Sequence, residues 1–442
     1  MTRQDRRGGA LRIGAVATAV GVAAVLSGCG GSGDGAGSGS GDGGSGSGDP
    51  VTIDYWGWVP GMQALVDEWN DANPDIQVNY SAQSAGDDAT FSKITTAAQA
   101  GDAPDLVQAD VKWVTSLLQY AQDVSDEAAQ YEDNFTAGAW SNVTLDGTTY
   151  GLPQDSGPVV MYYNKARLDE LGVAVPTTWE EYAQAAAAVA AAAPGTYLGG
   201  FSSDDTENLQ SYVQQAGGQW WSIDGDAWQV DVDGDESTQV AEFWQGLVDA
   251  GVVSPTKRWD PAFYNELANG TILSVVGAAW QAPLIADNAE ATSGDWAVAT
   301  APQWEAGATV SANNGGSTML VLEGTEHAAE SLEFANWLNT NVEGLLSLGL
   351  FPATQGAEIA TPENIAAYFG GQDVYGFLAE AAENIDTPWL FPPTYSDLSK
   401  ELTDGIARVT NGETTLPDVL AGLQESSLSA FEQAGINAAA AS

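Results

Sequence analysis

The first sixty residues of the globular part alternate between strand and helix patterns, and this alternation constrains the fold more than any other feature. Residues 51–58 alternate apolar and polar side chains as a strand does, and residues 61–73 place apolar side chains at helical spacing. Strand patterns recur at 76–80 and 103–108, with a helix pattern at 91–100 between them. Strands joined by helices predict a parallel sheet, because a parallel connection needs a crossover.

Aromatic and acidic side chains stand where these predicted strands end. Trp56 and Trp58 follow the first strand, and Asp110 and Trp113 follow the third. Ligands of open α/β sheets bind beyond the carboxyl ends of the strands. These four residues are therefore candidate ligand contacts, although each tryptophan is equally explained as a core residue.

The segment 149–168 indicates a change of direction within an extended run. It follows an Asp146-Gly147 pair, which predicts a two-residue hairpin turn. Asp155–Pro158 interrupts the run before five apolar residues resume it, and a helix signal begins after Asn164. We expect a bend or a crossover between two sheets at this interruption, where polar groups would meet a ligand. A kinked core strand with a surface turn is the alternative.

The remaining chain is mostly helical, and its 442 residues are too many for one compact core. A capping box at Thr178 and Glu181 opens an Ala-rich helix that extends to Ala193. Further helices are predicted at 208–216, 237–250, 328–339 and 397–434, the last broken at residues 411–412, and further strands at 228–232, 271–277 and 319–322.

The N-terminus is typical of an exported lipoprotein. Four arginines precede the apolar segment 13–26, and small residues then lead to Cys29, the single cysteine. We expect residues 1–28 to be a signal peptide, Cys29 to be acylated and residues 29–49 to be a flexible Gly/Ser-rich tether. The protein would then be extracytoplasmic and anchored to the cell membrane by lipid. Both general and twin-arginine export remain open.

The charge balance excludes one class of partner. The chain has 60 acidic and 12 basic residues and a formal net charge of −48. A field of this sign repels phosphate backbones, so we expect no nucleic-acid partner. The acidity is also compatible with a saline habitat or with a cationic solute.

No catalytic or metal-binding motif stands out. The single histidine excludes HExxH, and no GxSxG sequence occurs. Residues 231–242 place acids at four positions of a calcium loop, but Glu236 occupies the position that requires glycine. We therefore expect no metal, no cofactor and no enzymatic activity, and leave calcium at this loop open.

Six segments, in order along residues 51–436, carry a family resemblance. They are VTIDYWGW with ALVDEWNDANPDIQVNY, GDAPDLVQAD, YGLPQDSGPVVMYYNK, PTTWEEY, ELANGTILSVVGAAW and NGETTLPDVL. The chain resembles the extracellular solute-binding proteins of ABC transporters, in the sugar-binding group that includes maltose-binding protein.

The resemblance implies an α/β, two-lobe, type II periplasmic-binding-protein-like fold. Each lobe would have a central sheet flanked by helices, and hinge crossovers would join the lobes. By this similarity the N-terminal lobe comprises residues 50–155 and 315–365, and the C-terminal lobe comprises residues 156–314 and 366–442. The later crossovers would fall near Asn313–Ser317 and near residue 365.

Ligand contacts are carried over by position. The expected contacts are Trp56, Trp58, Asp110, Trp113, Asp155, Ser156, Gly157, Trp280, Asn313, Asn314, Gly315, Gly316, Trp389 and Tyr395. In maltose-binding protein the first crossover supplies a glutamate, whereas here that position is Gly157. This departure leaves the identity of the sugar open.

The resemblance implies a monomeric binding protein that delivers a sugar or oligosaccharide to permease subunits with a cytoplasmic ATPase. Aromatic faces suit the apolar faces of sugar rings, and Asp, Asn and Gln suit their hydroxyls. Four of the 16 tryptophans, Trp69, Trp179, Trp244 and Trp337, have helical spacing and are expected in the core. The alternatives are a secreted carbohydrate-active hydrolase and the same fold binding a cationic solute such as a polyamine.

Overall fold

The computed structural model describes residues 50–84, 88–225, 227–385 and 389–441. The predicted signal peptide, Cys29 and the tether lie outside these residues. Among the residues described, none of the helices combines the length and the apolar character that a membrane span requires.

The strands lie in four sheets among the described residues. In chain order they are β1 (Val51–Gly57), β2 (Ile76–Ala82), β3 (Leu106–Asp110), β4 (Thr144–Leu145), β5 (Thr148–Thr149), β6 (Gly151–Pro158), β7 (Val160–Asn164), β8 (Trp221–Asp224), β9 (Ala227–Val230), β10 (Ser274–Gly277), β11 (Trp296–Thr300), β12 (Asn313–Val321) and β13 (Ala438–Ala440).

Helices connect and cover these sheets. They are α1 (Met62–Ala72), α2 (Asp88–Ala100), α3 (Val114–Leu117), α4 (Ser125–Ala128), α5 (Ala137–Ser141), α6 (Lys165–Leu171), α7 (Trp179–Ala192), α8 (Thr206–Gln215), α9 (Asp235–Asp249), α10 (Pro261–Ala268), α11 (Gln281–Asn288), α12 (Ala328–Thr340), α13 (Val342–Ser347), α14 (Glu363–Tyr368), α15 (Val374–Glu383), α16 (Tyr395–Thr410) and α17 (Leu416–Ala434).

The first sheet has the strand order β2-β1-β3-β12-β6. Strand β1 pairs in parallel with β2 and β3, so the predicted parallel arrangement is confirmed for these three strands. Strand β12 is antiparallel to both β3 and β6, and it aligns Ser317 with Asp110 on one side and with Asp155 on the other. The carboxyl end of β3 therefore lies level with the carboxyl-terminal half of β6, with β12 between them.

The chain changes sheets within one residue. Strand β6 remains in the first sheet to Pro158, and β7 starts at Val160 as the central strand of a second sheet ordered β10-β7-β11. The predicted crossover between two sheets is therefore confirmed, one residue later than expected, since residues 155–158 still belong to β6 and the change falls at Val159. Pro158 is tolerated because β6 is an edge strand of the first sheet.

The partner of β6 absorbs the irregularity that Asp155–Pro158 introduces. The register between β6 and β12 shifts between Asn313 and Gly316 and again between Ser317 and Thr318. Gly315 and Gly316 have φ angles of 79° and 106°, which glycine adopts without steric cost. The two strands thus stay paired through a bulged segment instead of separating.

Two local predictions are confirmed, one strand was predicted too short, and one strand was missed. Asp146 and Gly147, with φ of 52° and 78°, join β4 to β5 as a two-residue hairpin turn. Thr178 Oγ1 accepts the Glu181 N–H at 3.1 Å and so caps α7. The strand predicted at 319–322 is only the last part of β12, and β11 was not predicted.

The tryptophans with helical spacing are core residues, as predicted. Trp69 is 3% exposed, and Trp179 and Trp244 are each 1% exposed. Trp337 is partly buried against the same core, with its ring centroid 5.4 Å from that of Trp69. Burial of such large rings is a main source of stability in a chain without a second cysteine.

Substituting Gly157 by alanine should lower the free energy of unfolding by about 1–3 kcal/mol, the usual range for overpacking. A Cβ atom at Gly157 would lie 1.9 Å from the Asn314 carbonyl oxygen, and backbone cannot yield as a side chain can. Urea denaturation measures the change.

Gly246→Ala is the matched control, because a Cβ there meets nothing within 4 Å and the residue lies in helix α9. That substitution should stabilise the protein by about 0.5–1 kcal/mol. Equal effects of the two substitutions would contradict the close approach of β6 and β12.

Candidate ligand-binding site

A small group of charged residues gathers at the carboxyl end of β3. Asp110 accepts the Lys112 N–H at 3.0 Å and thereby caps a short 3₁₀ turn over Val111–Trp113. The Lys112 ammonium lies 3.4 Å from the Asp110 carboxylate and 2.9 Å from that of Glu207, at the start of α8. Lys112 therefore ties the first sheet to helix α8.

Burial and mutual contact shift the pKa values of this group. Burial raises the pKa of Asp110, and the nearby Lys112 only partly opposes it. Burial would lower the pKa of Lys112, but Asp110 and Glu207 together raise it. Burial would also raise the pKa of Glu207, but Lys112 holds it below its usual value. The Lys112–Glu207 pair is thus charged at neutral pH.

Asp155, on β6, is the acid at the sheet change. The Ser317 hydroxyl donates to its carboxylate at 2.5 Å. Burial raises the pKa of Asp155 to about 7; the Ser317 hydrogen bond opposes this rise and the charge of Asp110 adds to it. Its neighbours Ser156 and Gly157 donate backbone N–H groups to Phe351 O and to Asn313 Oδ1, at 2.9 and 2.7 Å.

The start of β12 is held by helix α8 and by Trp280. The Asn313 N–H donates to Gln214 Oε1 at 2.7 Å, and the Asn314 amide donates to Asn208 Oδ1 at 3.1 Å. The Trp280 indole N–H donates to the Asn314 carbonyl at 3.3 Å. The expected contacts Trp280 and Asn313–Gly316 therefore come together.

Helix α8 is a part of the site that the sequence analysis missed. Seven of its ten residues are polar, and six of these are buried with hydrogen-bonded side chains. The seventh, Glu207, is partly exposed and pairs with Lys112. Its run NLQSYVQQ has no solvent-facing charged stripe. That absence was the available signal, because a helix that is polar all round needs partners when it is covered.

Gln210 of α8 joins the two C-terminal aromatic candidates. Its amide donates to the Tyr395 hydroxyl at 2.8 Å and accepts the Trp389 indole N–H at 3.3 Å. Tyr395 is 1% exposed and packs on Trp113 and Phe391, whereas Trp389 remains partly exposed. Of the two, Trp389 has ring surface available to a ligand.

The three N-terminal tryptophans have different surroundings. Trp113 is 4% exposed, and its ring stacks on that of Phe91 at 4.8 Å. Trp56 is partly exposed, and the Lys93 ammonium lies 4.4 Å from its ring centroid. Trp58 is partly exposed, and its backbone N–H donates to Gln108 Oε1 at 3.0 Å.

A cavity lies where β3, α8, β12 and the Trp389 segment converge. Its volume is about 20 Å³, and its lining consists of Val111, Asn142, Glu207, Gln210, Ser211, Asn313, Gly315, Trp389 and Phe391. Amide and carboxylate groups on the walls donate and accept hydrogen bonds, and aromatic rings close one side. Among the described residues no His, Cys, Asp or Glu cluster is arranged to hold a metal ion.

Replacing Asp155 by asparagine should change how stability depends on pH. An unfolded aspartate titrates at about 3.9, whereas the folded Asp155 has a pKa of about 7. Between these pH values the folded state holds a proton that the unfolded state has released. The contribution of Asp155 to the free energy of unfolding therefore falls as pH rises. Above about pH 7 both states are ionised and the loss stops.

The melting temperature of Asp155→Asn minus that of the wild type should therefore increase from about pH 4 to pH 7 and then level off. Asp397→Asn is the control, since its side chain is 94% exposed and the charge change is the same. A difference that is flat with pH for both variants would show that Asp155 is ionised throughout.

Comparison with known proteins places this geometry in a family. Residues 56–344 match the family described as bacterial extracellular solute-binding protein. The galacto-N-biose-/lacto-N-biose I-binding protein of an ABC transporter from Bifidobacterium longum, solved with lacto-N-biose, is 33% identical with a TM-score of 0.84. That alignment covers 89% of this chain and 100% of the other.

Two further relatives are more distant. The ABC transporter associated binding protein from B. animalis subsp. lactis Bl-04, solved with β-1,6-galactobiose, is 26% identical with a TM-score of 0.75, over 88% of this chain and 99% of that one. The arabinooligosaccharide-binding protein of Halalkalibacterium halodurans is 27% identical over 276 residues, 60% of this chain. The match spans 61% of that relative's length.

The predicted fold class is confirmed, since the solved relatives have the two-lobe α/β fold of type II periplasmic binding proteins. Given a match that extends from residue 56 to residue 344, the chain belongs to the bacterial extracellular solute-binding protein family.

Proposed function

We propose that the protein captures a sugar or oligosaccharide between its two lobes, outside the cytoplasm, and delivers it to the permease subunits of an ABC importer. The observation that supports this most is the convergence of hydrogen-bonding and aromatic groups at one place. Glu207 and Gln210 of α8, Asn313 at the start of β12 and Trp389 surround one cavity. Two solved relatives hold disaccharides.

The lobes proposed from the sequence comprise residues 50–155 with 315–365, and residues 156–314 with 366–442. The change of sheets at Val159 and the start of β12 at Asn313 support boundaries close to these. Under this division Lys112 and Glu207 belong to different lobes, and their ion pair at 2.9 Å bridges the lobes.

Capture requires the lobes to move apart. A cavity of about 20 Å³ accommodates about one water molecule, and a sugar ring is many times larger. The ion pair between Lys112 and Glu207 and the hydrogen bond from Thr115 to Phe391 O would break on opening and re-form around the ligand. A ligand that touches both lobes shifts the population toward the closed form.

The proposed ligand contacts remain those predicted from the sequence, with Glu207 and Gln210 of α8 added. Of the predicted set, Asn313, Gly315 and Trp389 have the strongest support, because each lines the cavity. Asp155, Trp280 and Asn314 are hydrogen-bonded to residues of β12 or α8, and Asp110 contacts Lys112, the partner of Glu207. No catalytic step, metal or cofactor enters this mechanism.

We propose also that the mature protein is a monomer held to the membrane by lipid on Cys29, followed by the tether. Replacing Cys29 by serine removes the thiol that accepts the lipid, so the protein should move from the membrane fraction to the medium. Fractionation followed by immunoblotting measures this. Retention in the membrane fraction of a Cys29→Ser protein from which residues 1–28 have been removed would exclude lipidation as the anchor.

Selective thermal stabilisation by one class of sugar is the main expected result. A ligand at 100 times its dissociation constant should add about 2.7 kcal/mol to the free energy of unfolding. The measurement is the melting temperature of the purified protein with a panel of mono- and oligosaccharides.

The same samples separate the alternative functions. Release of reducing ends from an oligosaccharide would indicate a hydrolase. Stabilisation by a polyamine that disappears at high salt, without stabilisation by any sugar, would indicate a cation-binding protein.

A further inference from the structure

Trp259 is the most exposed large hydrophobic residue in the part of the chain that the structure describes. It is 55% exposed, and Ile223, at 43%, is the other exposed large hydrophobic residue among those described. An indole ring that stays in water gives up the stabilisation that its burial would bring. The sequence analysis did not single out this residue, because it lies in a turn without strand or helix periodicity.

The backbone that presents Trp259 is fixed from two sides. The Asp204 carboxylate accepts the N–H groups of both Arg258 and Trp259, at 3.0 and 3.1 Å. The Ser202 hydroxyl donates to the same carboxylate at 2.9 Å, and the buried Arg258 guanidinium pairs with Asp205. The backbone at Trp259 therefore loses little conformational freedom when a partner contacts the indole.

The ring of Trp259 continues the candidate site outward. Its centroid lies 5.2 Å from that of Trp280, and the two planes are inclined by 27°, a stacked arrangement. Trp280 in turn donates its indole N–H to Asn314, at the start of β12. The Arg258 guanidinium carbon lies 5.5 Å from the Trp280 centroid, so Trp280 already has two neighbours at its ring. The larger open aromatic surface belongs to Trp259.

We propose that Trp259 provides an outer aromatic subsite, on which a further ring of an oligosaccharide ligand stacks its apolar C–H face. This inference rests on the proposed function and narrows its ligand to saccharides longer than the part enclosed between the lobes. The occupant is a sugar ring because Trp259 stacks on Trp280, which is hydrogen-bonded to the site at Asn314, and because an exposed indole suits a flat apolar face.

Affinity as a function of saccharide length tests the inference. Titration calorimetry would compare the wild type with Trp259→Ala for galactose, β-1,6-galactobiose and β-1,6-galactotriose, and for arabinose and its di- and trisaccharides. Loss of one aromatic contact should weaken binding of the longer members about threefold to tenfold. The shortest member that binds should keep its affinity, because it does not reach Trp259.

Two control variants separate the ring from general effects. Trp259→Phe keeps an aromatic face and should retain most of the affinity for the longer saccharides. Ile223→Ala removes the other exposed hydrophobic side chain, on strand β8 of the β13-β9-β8 sheet, and should change no affinity. Equal melting temperatures of the wild type and Trp259→Ala would show that the fold is intact.

The outcomes distinguish this inference from the proposed function. A wild type that binds saccharides while Trp259→Ala binds every length equally well would overturn the subsite alone. If such a variant also slowed uptake by cells, the ring would be a contact for the permease instead. A wild type that binds no saccharide at all would contradict the proposed function, and the subsite with it.

Discussion

The candidate site depends on the hydrogen bonds of the buried helix α8. Asn208, Gln210 and Gln214 are each at most 6% exposed. Their amides bond to β10, to β12 and to the C-terminal aromatic segment. A buried amide that loses its partner costs about 1–3 kcal/mol. Each bond therefore restricts the position of its partner more than apolar contact would, because apolar side chains can slide and polar pairs cannot. The start of β12 and the Trp389 segment are held in register by this requirement.

Because the chain has so few cations, Lys112 and its two ion pairs are important for the charge balance of the site. In a chain with 60 acidic and 12 basic residues, few acids have a cation within reach. Asp110 and Glu207 both lie within 4 Å of Lys112, and Asp155 shares the same environment through the repulsion of Asp110. Without the ammonium group, Asp110 and Glu207 would lose the cation that both of them contact. Burial is the main cause of the raised pKa of Asp155, and the charge of Asp110 adds to it.

The sequence predicted what periodicity encodes and missed what long-range pairing decides. Strands β1 and β2 and helices α1, α7 and α12 were predicted within a few residues, because each carries its own apolar pattern. Residues 313–316, Asn-Asn-Gly-Gly, have no strand propensity. They belong to β12 because Asn313 and Gly316 pair with Pro158 and Ser156 of β6 around a bulge. The position of Trp113 past a strand end suggested a ligand contact, but Phe91 and Tyr395, distant in sequence, leave it 4% exposed. The predicted site residues converge mainly through α8, whose partners no local pattern could reveal.

The contacts between the proposed lobes are strong enough to define a closed arrangement and weak enough to open. Besides the Lys112–Glu207 pair, the Thr115 and Ser116 hydroxyls donate to Phe391 O and Pro393 O at 2.6 and 3.0 Å. A partly exposed ion pair contributes about 0–1 kcal/mol, and each hydrogen bond contributes about 0.5–1.5 kcal/mol net. Together these three contacts contribute a few kcal/mol, so a ligand that favours the closed form by a similar amount shifts the equilibrium. A sugar that bonds to both lobes therefore controls the equilibrium, and a solute that touches one lobe only leaves it unchanged.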